Sequence, residues 1–359
     1  MKRSQVMLGR AILAGLFLGG AAASGQDVSL YDDSLIQPIA TLEGHTDQVR
    51  DVEFFGDDKF LASCSHDGTV RLWNADSGQQ VSSIHVQERS LYDLAVSPDG
   101  KILATAGLSG KVTLIDLQER STISAFTPDE WRVSTISWTP DGETVIVQNA
   151  RGLVLIRASD GESESISLVD EIFSAGSMAV SADGERVAVG GHGARLRIWE
   201  RSARRNVAEF VALPQDVPNL NNLSAVMSLA FSPNEDTLAV SSGFKISSTI
   251  SLWDTDTGSL TRKFDGHHGT VWCIRFSPDG RLLAGAGDDL VIWDAASGDV
   301  LAKWRPDQDQ RDILPPSFHA YGLDFSSNGD LLASAGSDKT VKLFRIRSAP
   351  DDNDCRRRL

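Results

Sequence analysis

The chain has 359 residues, 41% of them hydrophobic and 7% aromatic, with 34 Lys and Arg against 49 Asp and Glu and a formal charge of -15. That is ample apolar material for a packed core, and a surface too acidic to favour nucleic acid or anionic lipid as a principal partner. The one sustained apolar run, Ala11 to Gly20, is too short to span a bilayer as a helix, so no integral membrane span is expected.

At the N-terminus, Lys2, Arg3 and Arg10 form a basic start, and Ala21-Ala22-Ala23-Ser24-Gly25 supplies small residues after the apolar run. This order is that of a secretory signal peptide over residues 1–25, cleaved after Ala23 or Gly25. No Cys lies at that point, so the expected product is an exported protein, periplasmic or extracellular, made by bacterial-type secretion. Cys64, Cys273 and Cys355 are an odd set with no haem-attachment spacing. The polar tail, residues 349–359, is expected to be disordered.

The body of the chain repeats one phrase: an apolar pair, a tight turn rich in Pro, Asp and Gly, then small apolar residues. Its copies begin at Phe54, Val96, Trp138, Val180, Phe231, Phe276 and Phe325, in steps of 42, 42, 42, 51, 45 and 49. A unit that short cannot bury its own hydrophobic face, so neighbouring copies must stack. Unit one alternates apolar and polar over Val49 to Phe54, turns at Gly56-Asp57-Asp58, continues over Phe60 to Ser65, and turns again at His66-Asp67-Gly68. Thr69 to Trp73 and Gln80 to Ile84 follow. Four short strands per unit with turn signals every eight to twelve residues predict an all-β array of propeller blades.

These residues resemble the WD-repeat family. Gly44-His45 opens unit one and Trp73 closes its third strand; Trp253-Asp254 closes unit five. Gly266-His267 and Trp293-Asp294 bracket unit six, and Trp199-Glu200 ends unit four. The likeness runs from about Ile36 to Arg347 and implies a single seven-bladed β-propeller of four-stranded blades. Blades are expected near 43–84, 85–126, 127–168, 169–210, 211–264, 265–304 and 305–348, the last completed by 35–42, so that the N-terminal strand closes the ring within a domain spanning 35–348. Cys64 and Cys273 then sit on non-adjacent blades, too far apart for a disulfide. The family's structural tetrad is complete only in unit one, as His45, Ser63, Asp67 and Trp73. Unit seven keeps Ser334 and Asp338 but has Phe344 in place of the Trp, unit six has Gly285 in place of the Ser, and units two to four lack the His and the turn Asp.

No catalytic constellation is visible. His267-His268 is an adjacent pair rather than a metal-ligand spacing, His192 is isolated, and Gly107-Leu108-Ser109-Gly110-Lys111 is a hairpin without a P-loop's context. No cofactor or metal is expected. In a WD-repeat propeller, the loop leading into each blade and the hairpin between its second and third strands share one rim, the top. Aligned copies put Arg50, Tyr92, Ser134, Gly176, Met227, Trp272 and Tyr321 at one rim position. Arg50, Tyr92, Trp272 and Tyr321, residue types enriched at binding hot spots, are therefore the protein-binding candidates. Insertions at Leu213 to Asn222, Phe244 to Ser248 and Pro306 to Ser317 add to the same face. The expected function is a non-enzymatic, exported scaffold binding proteins or peptides through that face. The alternatives are a propeller enzyme or small-molecule binder using the central channel, which clustered channel-lining acids or histidines would favour, and a structural subunit of an exported assembly.

Overall fold

The computed structural model describes residues 35–87, 90–128, 131–167, 175–212, 225–234, 236–244, 247–305 and 319–347. The expected signal peptide, most of the blade-five and blade-seven insertions, and the tail with Cys355 lie outside them. Seven four-stranded antiparallel sheets are arranged as the blades of a β-propeller, and no helix occurs among the described residues. Blade one runs Val49–Phe55, Phe60–Ser65, Thr69–Asn74 and Gln80–His85 from the channel outward. The channel-facing strands of the other blades are Leu91–Val96, Val133–Trp138, Ala175–Val180, Ala225–Phe231, Val271–Phe276 and Ala320–Phe325.

Burial explains why the repeated phrase ends in small apolar residues. The second strand of each blade is sandwiched between two neighbouring blades, so five of the six residues in Phe60–Ser65, Ile102–Gly107 and Leu331–Gly336 are buried. Ala62, Ala104, Ala106, Ala333 and Ala335, all fully buried, let the sheets approach closely there. Outermost strands such as Gln80–His85 are largely open to solvent and polar. The core is not one mass but a series of inter-blade layers. Leu42, Val52, Leu61 and Trp73 pack on Ala333, Val341 and Leu343 between blades one and seven, and Ile146, Leu153, Val187 and Trp199 meet between blades three and four.

The Pro-Asp-Gly turns hold themselves. Ser97 Oγ donates to Asp99 Oδ1 at 2.7 Å and accepts from Ile102 N at 2.9 Å, while Asp99 Oδ1 accepts from Lys101 N at 3.1 Å. Gly100 has φ +71°, a conformation glycine adopts without strain. The same bonds recur at Ser181/Asp183, Ser277/Asp279 and Ser326/Asn328.

Closure comes from the chain start. Ile36–Glu43 pairs antiparallel with Thr340–Ile346, in register from Ile36 opposite Ile346 to Glu43 opposite Thr340, and completes blade seven. The register slips between Pro38 and Ala40, where a residue without an N–H can be absorbed. This is the ring closure that a strand-length segment ahead of Gly44-His45 implied, and it removes an open edge.

Candidate functional site

Each channel-facing strand carries one β-bulge at the same place. Its register with the second strand shifts between Val49 and Asp51, Leu91 and Asp93, Val133 and Thr135, Ala175 and Ser177, Val226 and Ser228, Val271 and Cys273, and Ala320 and Gly322. The extra residue in each case is Arg50, Tyr92, Ser134, Gly176, Met227, Trp272 or Tyr321, the rim position aligned from the sequence. A bulge re-aims the side chain it carries. All seven line the mouth of one central cavity of about 830 Å³.

Three of the four binding candidates form one stack across blades six, seven and one. Arg50 Cζ lies 4.0 Å from the Tyr321 ring centroid, and Trp272 meets Tyr321 edge-on at 5.8 Å. His319 sits 6.3 Å from Tyr321, its Nδ1 2.6 Å from Asp288 Oδ1. The fourth, Tyr92, packs edge-on against His66 at 5.6 Å. Burial, and then the charge of Arg50, lower the pKa of His66, so its ring is neutral near pH 7. Arg50 Nε and Trp272 Nε1 are shielded from solvent yet have no hydrogen-bond partner among the described residues.

Below the rim, the channel wall carries charge. Asp51, Glu53, Asp93, Asp324 and Arg275 all line the cavity. The N–H groups on the open edge of each channel-facing strand need acceptors, and the neighbouring blade supplies them. Asp93 Oδ2 accepts from Ile136 N at 2.8 Å, Glu53 Oε2 from Val96 N at 2.7 Å and Asp324 Oδ2 from Phe54 N at 2.7 Å. Ser228 Oγ does the same for Ile274 N at 3.0 Å. Burial raises the carboxyl pKa values: Asp324 to about 7, Asp51 above its usual range, and Glu53 and Asp93 well above it, with neighbouring carboxylates adding to the last two. Asp51 and Asp93 lie close enough to shift each other's titration. Clustered channel acids are the pattern that favours a channel site, but here Asp93, Glu53 and Asp324 each make a bond that ties one blade to the next. Among the described residues, no group of three or more His, Cys, Asp or Glu side chains is arranged to hold a metal ion.

In blade one, Trp73 Nε1 donates to Ser63 Oγ at 2.9 Å, Ser63 Oγ lies 2.8 Å from His45 Nε2, and His45 Nδ1 lies 2.9 Å from Asp67 Oδ2. Burial lowers the His45 pKa against the pull of Asp67. Elsewhere the tryptophans find other acceptors: Trp253 donates to Ser251 Oγ at 2.8 Å, Trp293 to Asp265 O at 2.7 Å and Trp138 to Ala95 O at 2.9 Å. Ser334, facing Phe344 rather than Trp, is left with a buried hydroxyl that has no partner among the described residues.

Residue types alone do not mark everything at this mouth. Trp131 and Arg151 stack at 5.0 Å, and Arg132 lines the cavity; all three are exposed. Aligning a single rim position passes over them, since Trp131 and Arg151 lie one turn away from it. The channel acids had a signal: charged side chains at alternate positions of otherwise apolar strands.

A family model, WD domain, G-beta repeat (WD40), matches residues 36–74, 78–116, 219–254, 258–294 and 316–345, about half of the chain. The unmatched middle covers blades three and four, which lack the tetrad His and Asp. Protein HIR1 of Eremothecium gossypii is 27% identical over 198 residues, covering 48% of this chain and 22% of that protein. Protein hir-1 of Neurospora crassa is 28% identical over 195 residues, covering 48% and 18%, and Coronin-7 of Homo sapiens 31% over 102 residues, covering 28% and 11%. The chain therefore matches about a fifth or less of the length of these relatives. They are proteins of fungi and a mammal, and this overturns the expectation of bacterial-type secretion to a periplasm or medium. No helix among the described residues is long and apolar enough to cross a membrane. The chain belongs to the WD domain, G-beta repeat family.

Proposed function

We propose that this chain is a non-enzymatic interaction scaffold that holds a polypeptide partner at the mouth of its central channel. Supporting this is the seven-fold bulge, which aims one residue per blade at that mouth and gathers Trp272, Tyr321 and Arg50 into a half-buried stack with unsatisfied donors. Aromatic and Arg side chains in such positions supply contact area at low entropic cost, and a rigid ring loses little freedom on binding. Catalysis draws little support from the arrangement, because Asp93, Glu53 and Asp324 are committed to inter-blade hydrogen bonds and burial raises the pKa of the Cys273 thiol that lines the same cavity. The residues to change are Arg50, Trp272 and Tyr321. Arg50→Glu, Trp272→Ala and Tyr321→Ala should each remove partner capture in affinity purification while thermal unfolding stays near wild type. A partner retained at full affinity by all three variants would refute the assignment.

A second reading has one observation in its favour. Four acids and Arg275 around an 830 Å³ cavity could hold a small polar ligand. Calorimetric binding that is lost in Asp324→Asn or Arg275→Met, and kept in Trp272→Ala, would support it.

A further inference from the structure

Every blade ends in an outer strand whose free edge exposes unpaired backbone groups, and among the described residues six of these seven edges are interrupted. In each of the six, one residue has no partner on the third strand: Ile39, Val81, Ile123, Val207, Thr261 or Leu301. A bulge bends an edge and breaks its row of donors and acceptors, which guards it against a further strand. Blade three is the exception. Its outer strand Ser163–Ser167 pairs with the third strand without a shift, from Gly152 opposite Ser167 to Ile156 opposite Ser163. It contains no Pro and no Lys, and all of its residues but Ile166 are exposed.

The register shows which groups are free. Arg157 N donates to Glu162 O at 2.8 Å, and bonded and non-bonded pairs alternate along an antiparallel ladder. Counting on from that bond, Glu164 and Ile166 pair inward with Leu155 and Leu153. The N–H and C=O groups of Ser163, Ser165 and Ser167 therefore point to the open edge, and their small side chains put no bulk in front of it. The side chains between them lie on the opposite face. Ile166 packs, half-buried, on the apolar layer between blades three and four, and Glu164 meets Arg204 of blade four.

We propose that this edge is a site of strand addition, where an extended segment of a partner polypeptide continues blade three as a fifth strand. Its backbone pairs with Ser163, Ser165 and Ser167, an apolar side chain lies beside Ile166, and a Lys or Arg two positions away lies beside Glu164. The basic residue follows from charge. Residues 158–174 hold five acids and no Lys or Arg, in a chain of charge -15. Arg157 meets Asp160 and Glu162, each at 2.9 Å, and Arg204 meets Glu164, which still leaves the stretch acidic. A second copy of this chain fits less well, since it would set that acidic stretch against itself. The inference does not rest on docking at the channel mouth.

Random dodecapeptides are selected on the full chain and sorted by the variants that lose them. Ser165→Pro removes the outward N–H without breaking a bond to the third strand, and Ser165→Lys guards the edge with the backbone unchanged. The expected result is a set of peptides lost on both variants and kept by Trp272→Ala, carrying Lys or Arg two positions from an apolar residue. Methylating alternate backbone nitrogens of such a peptide should weaken binding roughly tenfold, and methylating the intervening ones should not. Amide exchange at Ser163, Ser165 and Ser167 should slow on binding. The absence of any such peptide would overturn the proposal, as would binding that survives methylation at every position. Acidic or uncharged peptides at this edge would overturn the basic partner. A dimer of the full chain that Ser165→Pro abolishes would overturn the choice of a partner over a second copy.

Discussion

Ser63 and Ser334 occupy the same place in blades one and seven, but blade seven has neither a Trp nor a His at the positions of Trp73 and His45. Ser63 has Trp73 and His45 within hydrogen-bond distance; Ser334 faces Phe344 and has no partner among the described residues. Ser63→Ala should therefore strand two buried groups and cost about 2–4 kcal/mol. Ser334→Ala should change stability by less than about 0.5 kcal/mol or raise it. Urea unfolding of the two variants checks the contrast. Gly285 is a related case. A serine there would match the repeat phrase, yet its Cβ would lie 2.8 Å from Trp293 Cζ3. Trp293 has already turned to Asp265 O, so Gly285→Ser should destabilise by about 1–3 kcal/mol rather than restore a tetrad, as thermal unfolding would register. The tetrad was legible because its residue types are rare and its spacing fixed. The swing of Trp293 was not, since it depends on which acceptor is nearest once the glycine leaves room.

At the scale of the element, the channel-facing strands set the pH response. Asp324 has its pKa raised to about 7 in the folded state from an ordinary 3.8, chiefly by burial. A group raised in this way stabilises fully below its unfolded value, and that contribution is lost as pH rises through about 7. His45 and His267 act in the opposite sense. Burial lowers both from 6.5, so their contribution is present above that value and is lost as pH falls below it. Asp324→Asn keeps an oxygen for Phe54 N and cannot ionise. It should raise the unfolding temperature at pH 8, by on the order of 1–3 kcal/mol in stability, and do little at pH 5, as calorimetry at the two pH values would show. A second element-scale prediction concerns closure. Leu42 is 1% exposed opposite Val341, so Leu42→Ala should cost about 2–5 kcal/mol. Hydrogen exchange should then quicken first in Ile36–Glu43 and Thr340–Ile346. The bulges and the carboxylate-to-N–H bonds were not readable in the chain. A bulge only widens one apolar spacing from two residues to three, as between Val49 and Val52, which reads equally well as the edge of a strand, and the edge N–H groups that call for acids exist only once neighbouring blades stand side by side.

The whole molecule is a ring whose core is divided into layers between neighbouring blades, so each blade depends mainly on its two neighbours. That organisation follows from the repeat period, which made the blade count and the closing strand readable from the chain itself. It also lets individual blades diverge, as blades three and four do, provided their apolar layers are kept. The docking site proposed here sits where such divergence is tolerated, at the bulged position that varies from Arg50 to Gly176 around the mouth. The direct measurement is photo-crosslinking from p-benzoyl-phenylalanine placed at Tyr92, on the mouth, and at Val207, which is 42% exposed on the outer strand Arg205–Val211. A discrete polypeptide adduct is expected from position 92 and none from position 207. Adducts from position 207 with none from position 92 would contradict it.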